Sequence, residues 1–139
     1  MEKPVILVVE DNKTDQYFLD RAFTSTGLNG DAVVKYADTA EKAIQLLNSG
    51  DCPDVIVTDL HMPGIGGMGL LDYLKSDAEL RVIPTIIFTS SRQQEDIRNA
   101  YEKRTNSYVV KPFGAAGYEH FAKSFQDYWL NTNEGVGAN

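Results

Sequence analysis

The sequence predicts an α/β domain, a five-stranded parallel sheet wound on both sides with helices. Three observations predict it. Short β-branched runs alternate with amphipathic segments five times along the 139 residues. The first of these runs is apolar throughout, as strands covered on both faces are. Neither an internal repeat nor a linker divides the chain, so the βα units share one doubly wound sheet. A chain of this length supports one core and not comfortably two. Residues 1–130 are therefore expected to form the domain and 131–139 a flexible polar tail.

Val5-Ile6-Leu7-Val8-Val9 is the first strand. Phe18, Leu19, Ala22 and Phe23 then share one side of a helix, and Gly27 is placed to end it as a left-handed cap. Asp31 to Ala37 reads as the second strand, and Lys35 within it marks a sheet edge. Asp38 and Glu41 have capping-box spacing ahead of Ala43, Ile44 and Leu47, and Gly50 closes that helix. Asp54 to Thr58 is the third strand and runs straight into Asp59. A loop with Pro63, Gly64, Gly66 and Gly67 precedes a helix carrying Leu70, Leu71 and Leu74. Pro84 to Phe88 is the fourth strand, after which Ser91 and Gln94 offer a cap for a helix through Ile97, Ala100 and Tyr101. Ser107 to Val110 is the fifth. The last helix carries Phe121, Ala122 and Phe125, read as core, then Tyr128 and Trp129.

Composition excludes several classes. A net charge of -7 argues against nucleic acid, whose phosphates demand clustered Lys and Arg. No apolar run approaches the roughly 20 residues that span a bilayer. Met1-Glu2-Lys3-Pro4 leads directly into a strand, so no signal peptide is expected. Cys52 is the single cysteine, in a Gly-Asp-Cys-Pro turn, and is expected to be inert. Together these favour the cytoplasm.

In doubly wound sheets the functional site forms at the carboxyl ends of the strands. Glu10 and Asp11 follow the first strand, Asp59 the third, Thr89 and Ser90 the fourth, and Lys111 with Pro112 the fifth. Any one of these alone is an ordinary turn, cap or surface residue. Gathered on one rim, three carboxylates repel one another unless a cation compensates them. A hard divalent metal resolves the repulsion, because Mg²⁺ prefers oxygen ligands and is held by a few carboxylates plus a phosphate. Asp59 then has an oxygen free to attack phosphorus, with Lys111 neutralising charge and Thr89 donating a hydroxyl.

These residues carry a resemblance. Val8-Val9-Glu10-Asp11-Asn12, Val57-Thr58-Asp59-Leu60-His61-Met62-Pro63-Gly64, Ile87-Phe88-Thr89-Ser90-Ser91 and Tyr108-Val109-Val110-Lys111-Pro112-Phe113 resemble, in order and spacing, the motifs of response-regulator receivers of two-component signalling. The likeness covers about residues 4 to 130. It implies a flavodoxin-like sheet of strand order 2-1-3-4-5 and a phosphoprotein, not an enzyme in the usual sense. It implies Mg²⁺ (or Mn²⁺) held by Glu10, Asp11, Asp59 and the His61 carbonyl, with Asp59 accepting phosphate from a sensor histidine kinase. Lys111 would pair with the phosphoryl group, and Thr89 and Tyr108 would form the switch. The positions flanking the water path that sets signal lifetime are His61 and Ser91, although His61 also fits a solvated loop residue. The Lys111–Pro112 peptide is implied to be cis, which X–Pro bonds tolerate.

Ser90, Asn106-Ser107 and Gly114 depart from the family's usual Ala or Gly, Gly-Ala, and Thr or Ser; Gly114 offers no side-chain oxygen to cap the last helix. The face expected to change is the fourth helix (about Arg92 to Lys103), the fifth strand and the fifth helix. Tyr118, Tyr128 and Trp129 exceed what one amphipathic stripe needs, and either pack over the sheet edge or form a homodimer or partner surface. The Tyr128-Trp129-Leu130 ending, with Asp96-Ile97 and Ala100-Tyr101, resembles the phytochrome-associated receivers, whose partners are light-sensing kinases. His120 reads as a surface residue. Two rivals stand beside a phosphorylation-dependent binding switch. One is a relay intermediate passing phosphate to a histidine phosphotransfer protein. The other is a haloacid-dehalogenase-type phosphatase, disfavoured because His61 stands where that chemistry wants a second Asp. No DNA-binding module follows residue 130, so direct transcription control is not expected.

Overall fold

In the computed structural model, which describes residues 2–50 and 52–136, five parallel strands form one sheet in the order 2-1-3-4-5. The strands are β1 (Val5–Val9), β2 (Val33–Ala37), β3 (Val55–Thr58), β4 (Thr85–Thr89) and β5 (Ser107–Val110). The helices between them are α1 (Lys13–Ser25), α2 (Ala40–Asn48), α3 (Gly66–Ser76), α4 (Gln94–Glu102) and α5 (Gly114–Phe125). Single helical turns, Leu28–Asp31 and Leu80–Val82, precede β2 and β4.

The two-residue period of a strand sends alternate side chains to opposite faces. Ile6, Val8, Val55, Val57, Ile86 and Phe88 pack under α1 and α5, against Leu19, Phe23, Ala122 and Phe125. Leu7, Val9 and Ile56 pack under α2 and α3, against Ala43, Leu47, Leu70 and Leu74. Ile87 meets Leu71 and Ala100 beneath α4. This double cover is why β1 has no polar residue. β2 has only β1 beside it, which accounts for Lys35 in a half-buried strand.

Several local expectations shift. β2 starts at Val33, because the chain closes a helical turn after Gly27 (φ 79°), with Ala32 N–H donating to the Leu28 carbonyl at 2.9 Å. α2 is capped by Thr39, extended and adjacent to the first helical residue, whose hydroxyl accepts from Lys42 N–H at 3.0 Å. Asp38 instead pairs with the Lys42 ammonium at 3.0 Å, and Glu41 accepts from Ile65 N–H at 3.2 Å. Ser91 is not the cap of α4, which starts after Gln93 with no side-chain cap. α5 also begins without one, but its cap position falls on Phe113, whose ring has no oxygen, and Gly114 is the first helical residue. The Lys111–Pro112 peptide is trans, the isomer an X–Pro bond ordinarily favours.

Tyr118 is not an interface residue. It is 4% exposed, set edge-on to Phe88 at 5.7 Å and against Phe18 at 5.6 Å. Its position on the inner stripe of α5 buries it with Ala122 and Phe125. The chain past α5 widens into π-type turns over Gln126–Leu130. There Tyr128 is exposed and meets the half-buried Trp129 edge-on at 4.9 Å. Of the expected tail, residues 137–139 lie outside the described residues. Its start is tied down, with Thr132 N–H donating to the Tyr128 carbonyl at 3.1 Å and Thr132 Oγ1 to the Asp127 carbonyl at 2.6 Å. Among the described residues, no helix is long and apolar enough to cross a membrane.

Candidate functional site

The parallel ladder continues one residue past the strands and fixes the rim. Glu10 N–H donates to Ala37 O at 2.9 Å, Asp59 N–H to Val9 O at 3.0 Å, and Lys111 N–H to Thr89 O at 2.7 Å. The backbone under Glu10, Asp59 and Lys111 is thus as rigid as the sheet itself. α3 presses in from below. A Cβ at Gly67 would strike the Asp59 carbonyl and lie 2.8 Å from Leu60 Cα, so only glycine lets the helix approach the loop this closely.

Carboxylate oxygens of Glu10, Asp11 and Asp59 lie within 4.8 Å of one another. An all-oxygen, all-anionic set of this size suits a hard divalent cation. Asp59 is buried, and its two oxygens have different partners. Oδ1 accepts from Leu60 N–H at 2.7 Å and His61 N–H at 3.4 Å, and Oδ2 accepts from Lys111 Nζ at 2.7 Å. Glu10 is 3% exposed. Burial pushes its carboxyl up to about 7, against the lowering effect of Lys111 and of the Asn12 N–H.

Lys111 pairs with three carboxylates at once: Glu10 Oε1 at 2.6 Å, Asp15 Oδ2 at 2.7 Å and Asp59 Oδ2 at 2.7 Å. Burial works against its charge, but the hydrogen bonds to Asp15, Asp59 and Glu10 outweigh it and hold the ammonium well above its ordinary range. Asp15 was not legible as part of the site. In sequence it is an acidic residue in the first turn of α1, where the helix dipole alone explains it. Only the fold brings β5 across to it.

Thr89 is buried at the end of β4, its Oγ1 accepting from Ser91 N–H at 3.5 Å. Tyr108 is half-buried on β5 and donates its hydroxyl to the Ser91 carbonyl at 2.9 Å. Burial raises its phenol above the ordinary range. His61 and Ser91 meet at a residue of α4. Asp96 Oδ2 lies 2.9 Å from His61 Nε2 and accepts from Ser91 Oγ at 2.5 Å. Those two contacts, Ser91 first, keep the Asp96 carboxyl below the usual range. Ser90 and His120 are exposed, and neither joins the cluster.

Comparison with known proteins gives the family and the fold. The family described as the response regulator receiver domain matches residues 6–120. The chain is 35% identical over 111 residues to chemotaxis protein CheY-3 of Vibrio cholerae, covering 80% of this chain and 82% of that protein. It is 26% identical over 133 residues to response regulator Rcp1 of Synechocystis, covering 92% and 90%. A Mn²⁺-bound form of Rcp1 has the same fold, with a TM-score of 0.86 at 24% identity over 96% and 99% of the chains. The phosphorylated cyanobacterial phytochrome response regulator RcpA superposes with a TM-score of 0.90 at 25% identity, covering 98% and 100%. With the order 2-1-3-4-5, an acidic cluster at the strand ends and a lysine closing it, the chain belongs to the response regulator receiver domain family of two-component signalling.

Proposed function

We propose that the chain is a phosphorylation switch in which Asp59 accepts a phosphoryl group from a sensor histidine kinase. The observation that carries this reading is the Lys111 ammonium on Asp59 Oδ2, beside the Glu10, Asp11 and Asp59 oxygen cluster. Mg²⁺ or Mn²⁺, held by Glu10, Asp11, Asp59 and the His61 carbonyl, would supply charge neutralisation for the transfer. Asp59 Oδ2 attacks phosphorus, the bond from phosphorus to the donor imidazole breaks, and the imidazole leaves. Lys111 stays against the phosphoryl oxygens, and the Thr89 hydroxyl donates to another.

The new group adds about -1.5 to -2 charge. Thr89 moves toward it and Tyr108 follows, releasing Ser91 and repositioning the α4–β5–α5 face. A shift from 1:99 to 99:1 needs about 5.5 kcal/mol. Charge-assisted hydrogen bonds of about 1.5–3 kcal/mol each are enough to reach it. His61 and Ser91 flank the acceptor and set its lifetime. Similarity to the cyanobacterial phytochrome response regulator RcpA supports a phytochrome-type photoreceptor kinase as the donor, and exposed Tyr128 with Trp129 supports a homodimer or partner contact at the C-terminal end of α5. Incubation with acetyl phosphate and Mg²⁺ should label the wild type. Asp59→Asn, or the wild type in EDTA, should take up nothing; labelling of Asp59→Asn at the wild-type rate would sink the assignment.

A further inference from the structure

An ammonium has three N–H donors, and the Lys111 ammonium lies against three carboxylates, hydrogen-bonded to Asp15 and Asp59 at 2.7 Å each and ion-paired with Glu10 at 2.6 Å. Two of these acceptors, Glu10 and Asp59, belong to the oxygen cluster suited to a divalent cation. The ammonium and the cation therefore compete for the same carboxylates. Asp15 stands apart from that cluster, on the first turn of α1. Its backbone N–H donates to Asn12 Oδ1 at 3.0 Å, so the helix cap fixes its place independently of Lys111. Its side chain is also the most exposed of the three, 28% against 4% for Glu10 and 9% for Asp59.

On the metal-dependent reading of the site, we infer that Asp15 is a positioning residue for cation loading. It receives the Lys111 ammonium when a divalent cation takes Glu10 and Asp59, and so keeps that charge paired beside the incoming one. No covalent bond is made or broken; the ammonium surrenders its contacts with Glu10 and Asp59 and keeps the one with Asp15. Without Asp15 the ammonium has carboxylate partners only where the cation must bind. Leaving them would strand a buried charge, which is costly, so it stays and competes. A simpler effect of Asp15 is to add negative potential to the pocket. That effect acts on the cation whether or not residue 111 is charged. The two differ in whether Asp15 matters through Lys111.

The test is a double-mutant cycle on the full chain, reading Mg²⁺ affinity by calorimetry. Asp15→Asn should weaken Mg²⁺ binding about tenfold when Lys111 is present, a size within the usual range of coupling between contacting residues. In a Lys111→Met background the same substitution should change affinity less than about twofold, because no ammonium needs a place. Asp15→Glu should restore most of the loss. Equal weakening in both backgrounds overturns the inference, as does unchanged or tighter binding by Asp15→Asn alone. Lys111→Gln serves as the second background if the Met variant unfolds. A wild type that binds no Mg²⁺ would overturn the metal-dependent reading itself, an outcome distinct from these.

Discussion

At the residue scale the site is a problem of like charges solved by shared partners. Glu10 carries most of the cost. Its carboxyl is raised from the usual 4.5 to about 7, first by burial. A carboxyl raised on folding holds its proton more tightly in the folded chain. Between these two pH values the folded state is therefore the more protonated, and stability falls as pH rises. Measured without metal against Glu10→Gln, the wild type should lose relative stability from about pH 4.5 to 7 and then level off. A flat difference across that window would contradict the burial of this group. His61 and Ser91 make a second residue-scale case, since both hold Asp96 Oδ2 at 2.9 and 2.5 Å. Replacing both should change the rate of phosphate loss from Asp59, followed by decay of the label. An unchanged rate would remove them from the mechanism.

At the element scale, close approach decides what the helices do. α3 reaches the Asp59 loop only because Gly67 has no side chain. Gly67→Ala should destabilise the protein by about 1–3 kcal/mol, the usual cost of overpacking, read from the urea midpoint. A neutral result would show that α3 is free to move away. The elements themselves were legible in the sequence, because buried parallel strands and amphipathic helices leave strong periodic signals. So were Glu10, Asp11, Asp59, Thr89 and Lys111, each standing at a strand end or just past it. Caps were read less well. Asp38 and Ser91 had the right spacing, but Thr39 lay one residue nearer the helix, and Ser91 found Asp96 instead. Asp15 and Asp96 escaped for related reasons: each sits in the first turn of a helix, and the fold brings Lys111 from the end of β5 to one and His61 from the loop after β3 to the other. Tyr118 went the other way, since its aromatic character suggested surface use and the stripe of α5 buried it.

At the scale of the whole molecule, two faces of the sheet hold separate cores and the carboxyl edge holds the chemistry. On the proposed reading, a signal made at Asp59 has to leave through a surface. The hydrogen bond from Tyr108 to Ser91 ties β5 to the loop that carries the Asp96 contact, so a move of Thr89 reaches α4 and β5 together. Tyr128 and Trp129 lie at the end of α5, the next element beyond β5. Sedimentation should show phosphorylation-dependent self-association that Tyr128→Ala weakens. A monomer at high concentration, with and without phosphate, would count against a dimer there. All of this hangs on where the phosphoryl group goes. The most direct measurement is chemical mapping: phosphorylate the chain with Mg²⁺, reduce the acyl phosphate with borohydride, digest it, and locate the modified residue by mass. The expected result is a single modified residue, Asp59, lost in EDTA. Modification at Glu10, Asp11 or Asp15, or the same yield without a divalent cation, would contradict it.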